Sequence, residues 1–457
     1  MEALPVLPTR PLQRRPMEEE FDCIIVGGGI AGLSAAMTLA RGGAKFLLVE
    51  RGEWSGAKNV SGGVLWGTDL NRLVPNYWEE EDAGWERFVN HRRLSLMDPG
   101  ASFSLDFKSD HFDTPPYTGV TVLRSRFDAW LAGKVEEAIG ESDHPDESFL
   151  ATDILVESVI VEGGVARGIR AGGEDFRAKC VILAEGVNNL LARQVGLEKE
   201  YVPADHVAVG VKEVIRLGRE TVEDRFQLRG RSGLTNEFVG AATDGIDGGG
   251  FLYTNLESLS VGLVIGMKAM RGTGRTPYDL LNEFKEHPAV ADMVRGGEVV
   301  EYSAKVVSTG DIRGVPSDLT MDGLMIAGEA AHLVLNAGRA IQGMDYAMRT
   351  GILAAETAIS AVASGDTSKA ALAPYRQRLD ESYVMQDMKA FQGAVHLLHS
   401  PHMTGALPRM ACDFGREFFT VDNRPTRKAT RILRDVRKKH IKLMDFMKLG
   451  AKAGRHL

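Results

Sequence analysis

The chain has 457 residues, of which 44% are hydrophobic, and this length and composition predict a globular protein of two or three cooperating domains. Its three cysteines, Cys23, Cys180 and Cys412, lie far apart, which argues against a disulfide framework or a cysteine-rich metal site and favours a reducing compartment. The formal net charge of −8 is uneven, because residues 424–457 carry 12 Lys or Arg against two Asp, a net charge of +10 that leaves −18 for the rest.

The first 20 residues contain three arginines and several prolines but no apolar run, so we expect a flexible extension rather than a secretion signal. No stretch approaches the roughly 18 consecutive apolar residues that are needed to span a bilayer. These features predict a cytoplasmic protein that lies, at most, peripherally on the cytoplasmic membrane.

Residues 21–56 read as a strand, a glycine turn, a helix and a second strand, which is the βαβ unit of dinucleotide-binding proteins. Gly27 permits the sharp turn, Gly29 leaves room for a pyrophosphate, and Gly32 lets the helix pack closely on the strand. Glu50, 18 residues after Gly32, ends the second strand and is placed to accept hydrogen bonds from ribose hydroxyls. The unit therefore predicts a bound adenine dinucleotide.

The middle of the chain alternates between helical and strand patterns. Residues 124–138 have the periodicity of an amphipathic helix, and residues 153–184 read as a hairpin or meander that returns to the nucleotide domain. Residues 207–266 alternate as strands with short Gly and Asp turns, which predicts an antiparallel sheet inserted into the first domain. A long helix with a face of small residues follows Met344.

Two later strands end in acids, at the edge where doubly wound sheets bind ligands. Residues 181–184 are followed by Glu185 and Gly186, and residues 324–327 by Gly328 and Glu329. Either acid alone could end an ordinary strand, but their order after the glycine turn indicates FAD rather than NAD. Gly343 and Met344 begin a helix whose N–H groups would face the flavin pyrimidine edge, although Gly343 could also be a plain helix-start glycine.

The sequence resembles the FixC family, relatives of electron-transfer flavoprotein (ETF):quinone oxidoreductase among glutathione-reductase-type flavoproteins. The resemblance covers nearly all of residues 20–395 and is carried by residues 50–63, 249–255, 284–288, 296–304 and 343–348. It implies FAD as the cofactor. The residues that it implies as FAD contacts are Gly27, Gly29, Gly32, Glu50, Arg51, Ser61, Gly62, Arg124, Glu185, Glu329 and Gly343.

The expected fold class is α/β, a Rossmann-like FAD-binding domain with an inserted antiparallel-sheet domain and a helical C-terminal region. We expect a flexible extension over residues 1–20 and a discontinuous FAD-binding domain over 21–120, 151–200 and 320–365, with part of the quinone domain in 65–120. The sheet domain would take residues 201–319, and the helical region with its basic tail residues 366–457.

Two features depart from the family pattern. The family often has Asp where this chain has Glu329, which moves the carboxylate by one methylene. Larger family members carry a cysteine-rich domain for a four-iron cluster, whereas only Cys412 lies in the last third here, so we expect no metal site in this chain. The resemblance then implies a two-subunit ETF as electron donor, a separate ferredoxin-like FixX-type iron-sulfur subunit and a membrane quinone as acceptor.

The candidate quinone wall is formed by Gly249, Gly250, Phe251 and Tyr253, because glycines allow close approach and aromatic rings offer flat apolar contact. The same residues could equally form an ordinary inner strand. No general acid or base can be assigned. His332 could face the flavin, but a structural, hydrogen-bonded histidine is the favoured interpretation.

The basic tail reads as an amphipathic helix with apolar positions from Ile432 to Met447. It suits an anionic membrane surface, an acidic partner subunit or the chain's own acidic body, and it does not suit nucleic acid because no aromatic residues are interleaved. The basic residues around it are Arg431, Arg434, Lys438, Lys439 and Lys442. For the whole protein, a flavin-dependent prenyl (geranylgeranyl) reductase and a structural flavoprotein scaffold remain alternatives to ETF-to-quinone electron transfer.

Overall fold

The computed structural model describes residues 20–59, 62–80, 83–198 and 203–457. The strands are β1 (Phe21–Val26), β2 (Phe46–Val49), β3 (Gly63–Trp66), β4 (Trp85–Asp98), β5 (Ala101–Lys108), β6 (Gly119–Val122), β7 (Phe149–Ala151), β8 (Val156–Glu162), β9 (Val165–Ala171), β10 (Glu174–Leu183), β11 (Val207–Arg216), β12 (Ser232–Gly240), β13 (Gly248–Thr254), β14 (Ser258–Gly266), β15 (Glu298–Ser308), β16 (Thr320–Met321), β17 (Leu324–Ile326), β18 (Leu335–Asn336) and β19 (Ile341–Gln342).

The helices are α1 (Ile30–Arg41), α2 (Asp69–Leu73), α3 (Arg124–Gly140), α4 (Leu190–Gln194), α5 (Arg219–Phe226), α6 (Met267–Met270), α7 (Pro277–Glu286), α8 (Pro288–Val294), α9 (Met344–Ser364), α10 (Lys369–Leu372), α11 (Pro374–Glu381), α12 (Tyr383–Ala390), α13 (Ala394–Leu398), α14 (Leu407–Phe419), α15 (Ala429–His440) and α16 (Leu443–His456).

The first sheet has a parallel centre in the order β17, β10, β1, β2, β7. Its inner strands are continuous apolar runs, as in β2, whose four residues are all buried. Helices α1 and α9 pack against each other so closely that a Cβ on Gly351 would overlap the carbonyl oxygen of Ala31. The predicted meander is β8, β9 and the first half of β10, whose second half enters the parallel sheet.

The second sheet has nine strands, in the order β15, β11, β14, β13, β12, β4, β6, β3, with β5 paired to β4. The predicted antiparallel sheet is confirmed within residues 207–308, where all the strand pairings are antiparallel. Strand β12 also pairs in parallel with β4, so the sheet as a whole is mixed. This pairing joins segments more than 130 residues apart, from residues 63–122 and 207–308. One face packs on α7 through a core that includes Leu234, Phe238, Leu252, Leu263 and Phe284.

The basic tail forms two helices, α15 and α16, rather than one continuous amphipathic helix. Ile432, Val436, Ile441 and Leu449 are buried against the protein's own chain. Lys439 and His440 contact Asp413 of α14 at 2.6 and 2.7 Å. Another apolar set remains exposed on these two helices, namely Leu433, Leu443, Met444, Phe446 and Met447. Within the described residues, no helix combines the length and apolarity that crossing a membrane requires.

Candidate functional site

A cavity of about 960 Å³ lies between the two sheets. One side of the cavity is formed by the carboxyl ends of β1, β2, β10 and β17. The other side is the face of the nine-stranded sheet that is turned away from α7. Ten of the predicted cofactor residues line it: Gly27, Gly29, Glu50, Arg51, Arg124, Glu185, Gly186, Glu329, Gly343 and Met344. Gly32, Gly62 and Gly328 do not line it, and Ser61 lies outside the described residues.

The glycine turn has the geometry that a phosphate site needs. Gly27 has a φ of +108°, and a Cβ there would overlap the carbonyl oxygen of Ala184. A Cβ on Gly32 would overlap the carbonyl oxygen of Gly27, so helix α1 packs directly under the turn. A Cβ on Gly29, by contrast, would meet nothing closer than Arg124 Nη2 at 3.8 Å. The open space therefore lies at the N-terminus of α1, where free N–H groups and the helix dipole favour an anion.

Glu50 is held in a fixed orientation at the rim of this turn. Its Oε2 accepts a hydrogen bond of 2.7 Å from the backbone N–H of Gly28, and its Oε1 accepts one of 2.6 Å from the N–H of Gly52. A carboxylate has about four acceptor positions, so two remain for a ligand. The acid is thus held in one orientation, with acceptor positions left for the ribose hydroxyls that the sequence predicts there.

Four cations gather beside the turn, of which Arg51, Arg124 and Lys305 line the cavity. Arg124 donates to both carboxylate oxygens of Asp128, at 2.8 and 2.7 Å. The fourth, Lys212, is buried, and its ammonium group donates to the carbonyl oxygen of Gly62. Burial, and then the charge of Arg124, lowers the pKa of Lys212 to about 7, and burial likewise lowers the pKa of Lys305.

These cations fit the diphosphate of FAD, which is anionic. Sequence analysis did not identify Lys212 or Lys305, because they lie on β11 and β15 of the second sheet, far along the chain from the glycine turn. Their positions depend on how the two sheets face each other. A lysine within a short sequence motif could have been identified from its neighbours in the chain, whereas these two lysines lie in ordinary strands.

The two later acids are both engaged by backbone N–H groups. The Glu185 carboxylate accepts from Leu191 at 3.0 Å and from Ala192 at 2.8 Å, and burial raises its pKa. Glu329 accepts from the N–H of Ser308 at 3.1 Å. Both acids line the cavity, but the carboxylate of Glu185 is turned to the start of α4, so its side chain is held mainly by the protein itself.

Helix α9 begins at the cavity, with Gly343 as its N-cap and Met344 as its first residue. At 21 residues it has a full dipole, whose positive end faces the space that the flavin pyrimidine edge was predicted to occupy. Asp345 in its first turn accepts a 2.8 Å hydrogen bond from Gln342, and burial raises its pKa to about 6.

All four predicted quinone residues line the cavity, on strand β13. The strand is also an inner strand of the sheet, so both sequence interpretations describe the same residues. The rings of Phe251 and Tyr253 are stacked with centroids 5.0 Å apart. A Cβ on Gly250 would meet the Phe284 ring at 2.9 Å on the core side, whereas Gly249 is turned to the cavity side.

His332 does not line the cavity. Its Nδ1 is hydrogen-bonded to the Ser308 hydroxyl at 2.7 Å and its Nε2 to the Asn189 amide at 3.0 Å. Burial lowers its pKa. These contacts match the structural histidine that the sequence favoured.

The described residues contain no group of three or more His, Cys, Asp or Glu side chains that could hold a metal ion. The three cysteines are buried and free, and Cys23 and Cys180 are paired in register on neighbouring strands.

Comparisons with known proteins identify the same regions. Family models match as "FAD dependent oxidoreductase" over residues 22–130, "ETF-QO, ubiquinone-binding" over 207–307, and "ETF-QO/FixC family C-terminal domain" over 394–457, where ETF-QO denotes ETF:quinone oxidoreductase. The chain is 43% identical to Protein FixC of Salmonella typhi, covering 95% of this chain and 98% of that protein. It is 37% identical to the probable electron transfer flavoprotein-quinone oxidoreductase YdiS of Escherichia coli (strain K12), with the same coverage of 95% and 98%.

Among solved structures, a geranylgeranyl bacteriochlorophyll reductase-like protein from Thermoplasma acidophilum superimposes with a TM-score of 0.68. It covers 94% of this chain and 99% of that chain at 20% identity, so it shows a shared fold and nothing finer. Together the matches confirm the predicted fold class, the FAD cofactor and an FAD-dependent oxidoreductase activity. The predicted contacts of individual residues with FAD and quinone remain predictions.

Proposed function

The chain belongs to the ETF-QO/FixC family, and we propose that it passes electrons from an electron-transfer flavoprotein through FAD to a quinone. The observation that carries the proposal is the cavity itself. Its two sides bring the predicted FAD residues and the ubiquinone-binding segment, which includes β11 to β14, into one space.

FAD would supply two-electron redox chemistry in this cavity. The start of α1 would bind its diphosphate, with Arg51, Arg124 and Lys305 supplying charge, and Glu50 would bind the ribose. The start of α9 would meet the pyrimidine edge and stabilise negative charge there. The protein's own contribution is therefore orientation of the cofactor and a positive environment around it.

The quinone would lie against the wall formed by Gly249, Gly250, Phe251 and Tyr253. Gly249 has no side chain above the strand, so a flat ring can approach the backbone. Leu398, Met403 and Leu407 from the C-terminal helical region line the same cavity and add apolar surface suited to an isoprenoid chain.

Electrons would enter from a two-subunit ETF, and a ferredoxin-like iron-sulfur subunit would work beside this chain. The support is the family membership together with cysteines that are too few and too scattered to hold a four-thiolate cluster. We place the protein at the cytoplasmic face of the membrane, with α15 and α16 as the contact. Exposed apolar side chains and exposed cations such as Lys438 and Lys442 lie on these helices, a combination that binds anionic lipid surfaces.

The purified holoprotein tests the proposal directly. Reduced ETF should bleach its flavin absorbance, and a soluble quinone analogue should restore it, whereas a prenyl reductase would reduce an isoprenoid double bond and a scaffold protein would do neither. Gly249→Val should raise the KM for the quinone while ETF still reduces the flavin. Gly100→Val, in the exposed β4–β5 turn with nothing within 4 Å of its Cβ, is the matched control. Failure of the wild type to reduce quinone would refute the proposal.

A further inference from the structure

Glu237 is an acidic side chain on the predicted quinone wall that no motif identified. It lies on β12, with its backbone in register with Phe251 of β13 on one side and Leu94 of β4 on the other. Because side chains alternate along a strand, Glu237 shares a sheet face with Val239, and it lines the cavity together with Phe251 and Tyr253. Its carboxyl group therefore faces the same space as the quinone.

This carboxyl group has no ion pair and no hydrogen bond to another residue within the described ranges, 20–59, 62–80, 83–198 and 203–457. The nearest cation that influences it is Arg92 of β4, whose guanidinium stacks on the Trp66 ring at 4.5 Å and donates to the carbonyl oxygen of Arg339. Burial outweighs the attraction of Arg92 and raises the pKa of Glu237 to about 7. A substantial share of this carboxyl group therefore keeps its proton near neutral pH.

The other titratable groups near this side of the cavity are Tyr253, His399 and Arg92. Burial, and then the charge of Glu237, raises the pKa of Tyr253 far above neutrality, so its phenol keeps its proton. His399, which approaches from α13, is hydrogen-bonded to Asp247 at 2.7 Å. Arg92 is held by its contacts with Trp66 and Arg339.

We propose that Glu237 is the proton donor that protonates the quinone during its reduction, a role that rests on the electron transfer proposed above. The quinone accepts two electrons, supplied through the flavin from ETF, and two protons. The O–H bond of the Glu237 carboxyl breaks as an O–H bond forms on a quinone oxygen, and the second proton comes from water. Water then reprotonates the Glu237 carboxylate for the next turnover.

The test compares Glu237→Gln and Glu237→Asp with wild type in the holoprotein. Glu257→Gln, in the exposed β13–β14 turn, is the control for loss of a carboxyl group in the same domain. General acid catalysis typically contributes about 10²- to 10⁴-fold, so Glu237→Gln should slow quinone reduction by at least about tenfold. Glu237→Asp should recover part of the rate. In wild type the rate should fall as pH rises through about 7, and that pH dependence should be absent in Glu237→Gln.

Two further measurements separate proton delivery from structural damage. Ferricenium, a one-electron acceptor that takes up no proton, should reoxidise wild type and Glu237→Gln at similar rates. Infrared titration, without turnover, should show a protonated carboxylic acid in wild type that is lost near pH 7 and that Glu237→Gln lacks.

The outcomes are distinct. A Glu237→Gln variant with the wild-type rate and pH profile for quinone would overturn the role of Glu237 while leaving ETF-to-quinone transfer intact. Equal slowing with ferricenium and quinone would also overturn it, because the defect would then lie in electron transfer. A wild-type protein that reduces ferricenium but no quinone would refute the proposed function itself.

Discussion

Replacing Gly29 with Val should remove FAD from the protein while leaving the fold of the polypeptide intact. The backbone of Gly29 has φ −85° and ψ −175°, an extended conformation that any residue adopts. A Cβ there meets no protein atom closer than 3.8 Å, and the nearest atom is the end of the long Arg124 side chain, so we expect the cofactor-free protein to accept the variant side chain. It would, however, occupy the open space at the start of α1 that the diphosphate requires.

The size of the effect follows from the contacts that are lost. We expect the diphosphate to accept at least two N–H hydrogen bonds at this turn, and hydrogen bonds to charged groups contribute about 1.5–3 kcal/mol each. Losing two weakens binding by about 3–6 kcal/mol, or about 10²- to 10⁴-fold in Kd. The free energy of unfolding of the cofactor-free variant should lie within about 0.5 kcal/mol of that of the cofactor-free wild type.

The assay is the flavin-to-protein absorbance ratio of the purified variant, together with the Tm of both proteins after FAD removal. Gly32→Ala is the contrasting control, because its Cβ would overlap the carbonyl oxygen of Gly27 and should destabilise the polypeptide itself. A Gly29→Val protein that purifies with a full, normal flavin spectrum would refute this assignment of the phosphate site.

Three other predictions concern metal content, the tail and the buried lysine. The chain purified alone should contain no stoichiometric iron or acid-labile sulfide, and finding either by elemental analysis would contradict it. Charge reversal of four exposed cations should release the protein from anionic vesicles in sedimentation assays while flavin content stays constant. Added salt should release the protein in the same way. Lys439→Glu, which breaks the contact with Asp413, is the control for tail packing. Those four cations are Arg431, Arg434, Lys438 and Lys442. Lys212→Met should raise the free energy of unfolding of the FAD-free protein at pH 7 but not near pH 10. The gain at pH 7 should be about 3–6 kcal/mol if the substitution removes the whole effect of the lowered lysine pKa. Chemical denaturation at both pH values measures it.

The sign of the Lys212 effect comes from its depressed pKa. A lysine whose pKa is lower in the folded than in the unfolded protein binds fewer protons when folded, so it destabilises the fold increasingly as pH falls from about 10 towards 7. Met keeps the apolar stem and removes the amine. Equal stability of the two proteins at both pH values would contradict the burial of a cation at this position.

The local motifs could be predicted from the sequence because each depends on residues that are close in the chain. Gly27, Gly29 and Gly32 carry three separate steric requirements, and Glu50 ends the strand that follows, so the βαβ unit is readable from residues 21–56 alone. The start of α9 is readable for the same reason. These elements form the side of the cavity at which FAD is predicted to bind.

The quinone side could be predicted only in part, because it is assembled by sheet pairing over long distances. Glu237 becomes part of the wall only when β12 pairs with β13 and β4, and β4 lies more than 130 residues earlier in the chain. Periodicity locates strands but does not give their neighbours or direction, which is why the parallel β4–β12 pair was missed. The surface that the tail meets was left open for a related reason, since an apolar face alone does not say whether it contacts lipid or protein.

The cluster of Arg51, Arg124, Lys212 and Lys305 relates folding of the protein to binding of its cofactor. Burying several cations together is unfavourable although Asp128 pairs with Arg124, and the lowered pKa values of Lys212 and Lys305 reflect first their burial and then the charge of Arg124. Such an arrangement persists when the rest of the fold supports it and a ligand of opposite charge reduces its cost. The first sheet supplies Arg51 at the end of β2, whereas β11 and β15 of the second sheet supply the two lysines. An anionic diphosphate bound at these cations would therefore attract both sheets at once, so binding of FAD at the predicted site would also hold the predicted quinone wall opposite it.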